Sequence, residues 1–371
     1  MKVDAASVSL LFGDMRRLDQ ALESRSQSCH PLWILADGLV STLRGIAQVI
    51  FVNNPVCGAL ILIGLFCSNV FTGVAAIVSV IAALLCSKLF DQPQDALRAG
   101  LTSFSACLVG TVTVELVPAL YHRPVTGTLF FWIILMSALS VLVGCGLGNI
   151  LGKFQLPAFT LPFNTVTAIL FLCLHPPEAT EVAAAPANVT TDTVLWDQVL
   201  LGSVYSMGQV YAAYTLAGSA LIYLGCLLCS PVLTAASYVG ALTGTLLGVA
   251  FSDPPYDSVY SGVWGYNGIL AAEAIMFFMV PSVRSVLLAL LNAVLATMIQ
   301  AALAVSLKQV NLPVFTFPFV TSTLLLLATT TAGSGLTRVK NLRYPELHFR
   351  ERPQKRRPDD ESSATPDLDR D

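Results

Sequence analysis

Long apolar stretches alternate with short polar breaks along most of this 371-residue chain. Many of the stretches approach or exceed the roughly 20 residues that an α-helix needs to cross a lipid bilayer. The pattern therefore predicts an all-α protein that crosses a membrane many times. The predicted apolar spans cover residues 32–52, 56–70, 72–90, 98–120, 128–151 and 156–174, and then 199–212, 214–230, 232–251, 262–281, 284–307 and 312–333.

Two of these spans begin with the same proline-broken pattern, 156 residues apart. Residues 156–163 read Leu-Pro-Ala-Phe-Thr-Leu-Pro-Phe, and residues 312–319 read Leu-Pro-Val-Phe-Thr-Phe-Pro-Phe. The prolines interrupt a helix on either side of Thr160 and of Thr316. A broken helix is tolerated inside a membrane only where it is buried or lines a polar cavity. Two breaks at matching positions of two halves predict a central permeation site, with simple packing of kinked helices as the alternative.

The repeat extends beyond the two proline segments. Residues 48–51 match 209–211 at an offset of 161, and residues 104–108 match 266–270 at an offset of 162. Three landmarks in the same order indicate two structurally related halves. We expect each half to have five transmembrane helices and one short re-entrant pore half-helix. Hydropathy alone does not indicate which run is the re-entrant one.

Composition excludes an ordinary soluble domain. The chain is 55% hydrophobic and 12% charged, and only 18 Asp, Glu, Lys or Arg residues lie between Leu32 and Leu336. A soluble domain carries roughly 25% charged residues. The first 30 residues lack the pattern of a signal peptide, and the tail from residue 338 has a composition typical of disorder. Basic residues near both ends predict cytoplasmic termini and an even number of crossings.

The break between the halves has the composition of an extracellular loop. Residues 175–197 contain no Lys or Arg, and Asn188-Val-Thr is an acceptor triplet for glycosylation. The expected organisation is a cytoplasmic N-terminal segment (1–30), a first inverted half (31–174), an extracellular loop (175–197), a second inverted half (198–337) and a cytoplasmic C-terminal tail (338–371).

The polar residues within the spans suit a small neutral solute. A half-helix that ends inside a membrane leaves backbone groups unpaired, and each threonine adds a hydroxyl that both donates and accepts. Gln48 and Gln209 are amides in apolar surroundings, so each needs a partner or faces water. The spans hold no repeated acidic pair of the kind that ion-coupled pumps need. We find no nucleotide loop, zinc motif or nucleophile motif, so we expect no enzyme activity, cofactor or metal.

Four segments together resemble the urea transporter family, in particular its animal-type urea channels. They are residues 48–55 (Gln-Val-Ile-Phe-Val-Asn-Asn-Pro), 156–164 (the first proline segment with its Asn), 208–211 (Gly-Gln-Val-Tyr) and 260–268 (Tyr-Ser-Gly-Val-Trp-Gly-Tyr-Asn-Gly). The resemblance implies a passive urea channel in the plasma membrane, with ten transmembrane helices and two pore helices. It also implies a homotrimer in the lipid bilayer, with one pore in each subunit.

The resemblance further implies roles for individual residues. Two glutamines would lie near the outer binding positions, two threonines would flank the constriction, and apolar side chains would shape a slot for the flat urea molecule. The chain departs from the family at residues 104–106, where Phe-Ser-Ala replaces a common Tyr-Asn-Gly. The residues expected at the pore are Gln48, Phe51, Phe104, Leu108, Thr160, Gln209, Val210, Leu270 and Thr316.

Two other functions remain open from the residues alone. Inverted repeats fit a coupled secondary transporter with alternating access equally well. A narrow neutral passage also suits a channel for water, ammonia or other small amides. A membrane enzyme is the least favoured class.

Overall fold

The structure is a computed structural model that describes residues 12–26, 31–174, 193–330 and 335–349. Apart from one isolated β-bridge, the regular elements in these ranges are helices, as the sequence predicted. The helices are α1 (Arg16–Ser26), α2 (Pro31–Ala47, continued by a 3-10 turn over Gln48–Ile50), α3 (Pro55–Ser68), α4 (Val70–Leu89), α5 (Gln94–Arg98), α6 (Phe104–Tyr121), α7 (Gly127–Gly152), α8 (Leu161–Cys173), α9 (Trp196–Gln209), α10 (Leu216–Cys229), α11 (Pro231–Phe251), α12 (Asp257–Tyr260), α13 (Tyr266–Phe278), α14 (Val283–Lys308), α15 (Phe317–Ala328) and α16 (Pro345–His348).

The helices confirm a multi-pass membrane protein. In the described residues, six helical stretches are long and apolar enough to cross a bilayer, and five further apolar helices are shorter. In the described part of the last span, predicted over 312–333, the helix runs from Phe317 to Ala328. The helix begins later than predicted because Phe315 has a left-handed backbone, which a right-handed helix does not accommodate, and Thr316 is the N-cap. Asn188, and with it the predicted glycosylation site, lies outside the described residues.

Contacts between helix ends show which ends lie on the same face of the protein. The Asn54 side chain, before α3, donates to the Gly13 carbonyl, and the Cys229 thiol at the end of α10 contacts the same carbonyl. At the other end of α3, Ser68 Oγ accepts from the Tyr214 N–H, just before α10. Helices α3 and α10 therefore run antiparallel to each other. We call the face that carries Gly13 and Asn54 the terminal face, and the other the opposite face.

The C-terminal segment also lies at the terminal face. The Glu346 carboxylate accepts hydrogen bonds from the Ser230 hydroxyl and from the Val232 N–H at the start of α11. Arg338 donates to the Gln155 carbonyl, which follows α7. Both described ends of the chain therefore meet on the same side of the molecule.

Helices α2 and α9 are the two that enter and return on one face. Asp37, in the first part of α2, pairs with Arg98 of α5, while Arg44 near its end pairs with Asp19 of α1. Because α1 and α5 both lie at the terminal face, α2 does not cross to the opposite face. Helix α9 likewise contacts the 260–261 turn at both ends, through the Leu195 N–H and the Gln209 amide. The structure thus identifies the re-entrant helices that hydropathy left open.

The internal repeat extends to the backbone. Left-handed φ angles recur in pairs at the same offsets, 156 to 162 residues, as the sequence repeat. Such φ angles are uncommon for residues other than glycine, so their recurrence reflects a shared local fold. The pairs are Phe51 (59°) with Ala212 (57°), Gly100 (72°) with Gly262 (81°), Gln155 (56°) with Asn311 (50°), and Phe159 (47°) with Phe315 (45°).

Close approach of α11 and α13 depends on glycine. A Cβ atom built on Gly240 would collide with the carbonyl of Gly268, and one on Gly244 would collide with the carbonyl of Trp264. Small residues at four-residue spacing allow helix backbones to approach in this way inside a membrane. The α11–α13 contact holds α13, one wall of the central cavity described below, in place.

We expect Gly240→Ala to lower the thermal unfolding midpoint in detergent, because the added methyl group must push the two backbones apart at a cost of about 1–3 kcal/mol. Tryptophan fluorescence during heating measures this change. Gly148→Ala is the matched control, since no atom lies within 4 Å of a Cβ at that position. An unchanged midpoint for Gly240→Ala would contradict the packing account.

Candidate permeation site

A cavity of about 860 Å³ opens at the terminal face and extends inward to Thr160. Its charged lining residues, among those the structure describes, are Asp14, Asp19 and Arg343. Asp14 pairs with Arg343 at 3.6 Å, and Asp19 pairs with Arg44. All these charges come from α1, the segment before it and the C-terminal segment, so they lie at the mouth. The deeper lining is uncharged.

The two proline segments form matching turns at the inner end of this cavity. Phe159 and Phe315 are both left-handed, and the next residue of each segment is the N-cap of a half-helix, α8 or α15. Left-handed backbone at a bulky residue costs on the order of 1–3 kcal/mol and persists only where surrounding contacts hold it. Strain repeated at two equivalent positions marks the turns as candidate functional elements.

The two threonines meet. Thr160 Oγ1 and Thr316 Oγ1 are 2.6 Å apart, and each residue is only 3% exposed. Asn164 Oδ1 accepts from the Thr316 N–H at 3.1 Å and from the Thr316 hydroxyl at 2.8 Å. The convergence of the interrupted segments that the sequence predicted is therefore present in the structure.

These contacts fix the direction of the hydrogen bonds. Thr316 has one hydroxyl proton and gives it to Asn164, so the proton between the two threonines comes from Thr160. Because Thr160 uses its proton in that bond, both lone pairs of its hydroxyl remain available as acceptors. The inner end of the cavity is thus suited to a solute that carries N–H or O–H donors.

A second amide supports the turn of the second half. The Asn267 side chain donates to the Phe315 carbonyl at 3.2 Å and accepts from the Phe319 N–H at 3.2 Å. Tyr266 donates its hydroxyl proton to the same Phe315 carbonyl at 2.6 Å. The Phe315 carbonyl at this turn therefore already accepts two hydrogen bonds from side chains of the protein.

Six phenylalanine residues in the described ranges line the cavity, and the rings of five of them form one cluster that includes Phe159, the neighbour of Thr160. The ring of Phe51 lies 5.4–6.4 Å, centroid to centroid, from each of the other four. Edge-on and tilted rings at these distances are the favoured aromatic geometries. The rings give flat apolar walls that offer nothing in exchange for the water around an ion. The members of this aromatic cluster are Phe51, Phe159, Phe277, Phe278 and Phe319.

Four of the residues expected at the pore line the large cavity: Gln48, Phe51, Phe104 and Thr160. Gln48 is 9% exposed, and its Oε1 has no hydrogen-bond partner among the described residues. An unpaired buried acceptor of this kind is available to a solute.

The other five expected residues lie elsewhere. Gln209 lines a smaller cavity of about 290 Å³ near the opposite face, and its amide donates to the Ser261 carbonyl. Leu108, Val210 and Leu270 are buried in the core and do not line either cavity. Thr316 does not line either cavity, but its hydroxyl contacts Thr160, which does. The role of all nine residues in binding stays a prediction.

Sequence reasoning missed several residues that build the site. Phe277 and Phe278 end an unremarkable apolar run, and no signal in the sequence separates them from core residues. Asn164 was noted in the motif but not as a partner of Thr316. Asn267 and its partner Gln300, whose Oε1 accepts at 2.9 Å, are amides within apolar spans. The same signal that pointed to Gln48, an amide side chain within an apolar span, would therefore have identified Asn267 and Gln300.

Two glutamates within the apolar helices, Glu115 of α6 and Glu273 of α13, are held away from the cavities. Glu115 accepts a hydrogen bond from Thr72, and Glu273 accepts one from Ser237. Neither carboxyl group lines either cavity. These contacts place both carboxyl groups at interfaces between helices.

Comparison with known proteins identifies the family. The family model described as urea transporter matches residues 39–331. The chain belongs to the urea transporter family. It is 30% identical to Urea transporter 1 of Ovis aries over 354 residues, which cover 92% of this chain and 88% of that protein. It is also 30% identical to Urea transporter 1 of Mus musculus over 308 residues, which cover 80% of this chain and 78% of that protein.

We expect Asn164→Val, which places the side chain of the equivalent Val320 in the first half, to destabilise the protein. The change leaves the Thr316 N–H and hydroxyl without their acceptor, at a cost of about 1–3 kcal/mol for each buried group. The thermal midpoint in detergent should fall by several degrees. Thr165→Val is the control, since the Thr165 hydroxyl contacts only the Leu161 carbonyl of its own helix. Equal effects of the two changes would contradict the stabilising role of the Asn164–Thr316 contact.

Proposed function

We propose that this urea transporter family member is a passive channel that lets urea cross the plasma membrane down its concentration gradient. The observation that carries the proposal is the contact between Thr160 and Thr316 at the inner end of an uncharged, aromatic-walled cavity. Family membership and the names of the relatives support urea as the solute. The proposed narrow point of the pathway is the threonine pair.

Urea fits the chemistry of this cavity. Urea carries four N–H donors on a flat frame, and Thr160 and Gln48 Oε1 both offer acceptors. A channel works when binding replaces the water lost by the solute without holding the solute tightly. A few neutral acceptors between aromatic walls satisfy that condition, whereas an ion would lose its water without compensation.

The absence of charge along the deep lining argues against ion coupling. Coupled transporters hold ionisable groups at their substrate pathway. Here the charged lining residues in the described ranges are at the cavity mouth, and Glu115 and Glu273 are turned into helix interfaces. We therefore favour a channel over a transporter with alternating access.

The orientation follows from the distribution of basic residues. Lys88, Arg98, Lys153, Arg284 and Arg343 belong to terminal-face segments, whereas Arg123 and Lys308 are the basic residues of the described opposite-face segments. Cytoplasmic loops carry the excess of Lys and Arg. We assign the terminal face, and thus both chain ends, to the cytoplasm. The homotrimer and the division of the chain into the five segments given above remain part of the proposal.

Liposomes that contain the purified protein should take up urea from an outward-to-inward urea gradient alone. Stopped-flow light scattering in buffers without sodium and without a pH difference measures this uptake, and protein-free liposomes give the background. Uptake that appears only when a sodium or proton gradient is imposed would overturn the channel.

The double variant Thr160→Val with Thr316→Val should lose urea permeation by about tenfold or more. Each substitution keeps the side-chain shape and removes a hydroxyl, and one lost hydrogen bond of about 1–1.5 kcal/mol corresponds to about tenfold in rate. Water flow in the same liposomes should change little. Equal loss of urea and water flow would indicate that the passage has collapsed and would contradict the assigned role.

Thr165→Val, one turn into α8, is the matched control and should leave urea flow unchanged. Measuring the permeation of ammonia and formamide in the same liposomes shows whether the pathway selects urea or passes small neutral molecules in general. Flow of water and ammonia without urea would favour the alternative function, a channel for other small neutral molecules.

A further inference from the structure

The two halves differ at one place where the repeat predicts equivalence. Asn267 and Gln300 of the second half are hydrogen-bonded to each other at 2.9 Å. Their counterparts in the first half, at the offsets of the repeat, are Ser105 and Gly144. Two amide side chains are thus replaced by a hydroxymethyl group and a hydrogen atom.

The missing side chains leave a recess in the first half. Ser105, Val141, Gly144, Cys145 and Pro162 line the same large cavity as Thr160, between α6, α7 and α8. A Cβ built on Gly144 would meet Pro162 only at an ordinary contact distance of 3.4 Å, so the position is not tightly packed. We call the part of the cavity that these five residues line the side chamber.

Two backbone groups form hydrogen bonds with Asn267 in the second half, and their counterparts in the first half have no such partner among the described residues. Asn267 caps the Phe315 carbonyl and the Phe319 N–H. The equivalent Phe159 carbonyl and Phe163 N–H have no hydrogen-bond partner among the described residues. Phe104 cannot replace the Tyr266 hydroxyl either, since phenylalanine has none.

The Ser105 hydroxyl does not fill the gap. Ser105 is 5% exposed, and its Oγ has no hydrogen-bond partner within the described part of the chain. A buried hydroxyl without a partner is uncommon and calls for an explanation such as a bound molecule. Phe159 also lines this cavity. By equivalence with the second half, the Phe159 carbonyl and the Phe163 N–H face the position that the Asn267 side chain takes there. On that basis the side chamber offers one acceptor, one N–H donor and one hydroxyl, none of them paired within the described residues.

We propose that the side chamber binds one molecule of a small primary amide, such as urea or formamide, in place of the absent Asn side chain. The amide N–H groups donate to the Phe159 carbonyl, and the amide oxygen accepts from the Phe163 N–H and the Ser105 hydroxyl. The carboxamide of Asn267 makes two equivalent bonds in the second half. The inference rests on the proposed function for the identity of the solute and adds a second site beside the pathway.

Cys145 provides a direct readout of occupancy. Its thiol lies at the side chamber and donates to Gln92 Oε1 at 3.0 Å. The full-length protein in liposomes is treated with methyl methanethiosulfonate, and modification of each cysteine is followed by peptide mass spectrometry. Urea or formamide should slow Cys145 modification saturably, by about threefold or more at saturation. The exposed Cys67 is the internal control and should not respond.

The double variant Ser105→Asn with Gly144→Gln rebuilds the amide pair of the second half in the first. We expect this variant to lose the protection of Cys145 by urea, because its own amides then occupy the groups in the side chamber. Gly148→Gln, one turn along α7 at a position with open space, is the matched control and should keep the protection. If the double variant does not fold, Ser105→Ala should shift half-protection to a higher urea concentration.

Each outcome separates the side chamber from transport. Cys145 that reacts equally with and without either amide would mean that only water enters the side chamber, and this would overturn the proposal. Protection that persists in the double variant would place the amide elsewhere and would overturn it as well. Urea flow is measured in the same liposomes. Urea flow without protection of Cys145 would refute the side-chamber site and leave the proposed channel function standing. Protection of Cys145 without urea flow would support the side-chamber site and refute the channel.

Discussion

One hydrogen bond between two threonine hydroxyls joins the halves of this protein at the end of its central cavity. Thr160 and Thr316 approach to 2.6 Å because each follows a left-handed residue and starts a half-helix, and Asn164 fixes the direction of the bond. The cavity, the aromatic cluster and the two turns are all organised around that contact. A membrane chain leaves backbone irregular at this depth only where other groups compensate for it. Here the compensation comes from side-chain amides and hydroxyls, which are the same groups that suit a neutral solute.

Charge is distributed to match that chemistry. Paired charges surround the cavity mouth. Glu115 and Glu273 accept hydrogen bonds from neighbouring hydroxyls and do not line the cavity. A solute that moves inward therefore meets neutral acceptors and aromatic walls. Passive movement needs only that each step replaces lost water, and a carboxylate in the path would bind a cation or a donor too tightly for rapid release. The inverted repeat supplies the geometry, but the two halves are not chemically identical. The second half completes its turn with Tyr266 and Asn267, and the first half leaves it open.

Much of this arrangement was predictable from the sequence, because the features concerned are local. Prolines at fixed positions break helices, so the meeting of Thr160 and Thr316 followed from the repeat. Apolar length predicted where the main helices lie, but it placed the starts of α6, α8 and α15 too early in the chain. Hydropathy did not identify the re-entrant helices. The α2 stretch is the least apolar of the six that are long and apolar enough to cross a bilayer, yet it still meets that condition, and only its contacts with α1 and α5 reveal that it returns. The burial of Leu108, Val210 and Leu270 away from the cavities depends on helix rotation, which hydropathy in uniformly apolar helices does not encode. The side chamber is visible only when equivalent positions are compared in three dimensions.

The most direct test of the central claim is to lock the threonine pair. The double variant Thr160→Cys with Thr316→Cys places two thiols where two hydroxyls are in contact, so mild oxidation should join them, and mass spectrometry can verify the disulfide. Urea permeation of liposomes that contain the oxidised variant should fall to the background of protein-free liposomes and return on reduction, while each single cysteine variant should be insensitive to oxidation. Urea permeation that persists unchanged through a verified cross-link would contradict passage between Thr160 and Thr316.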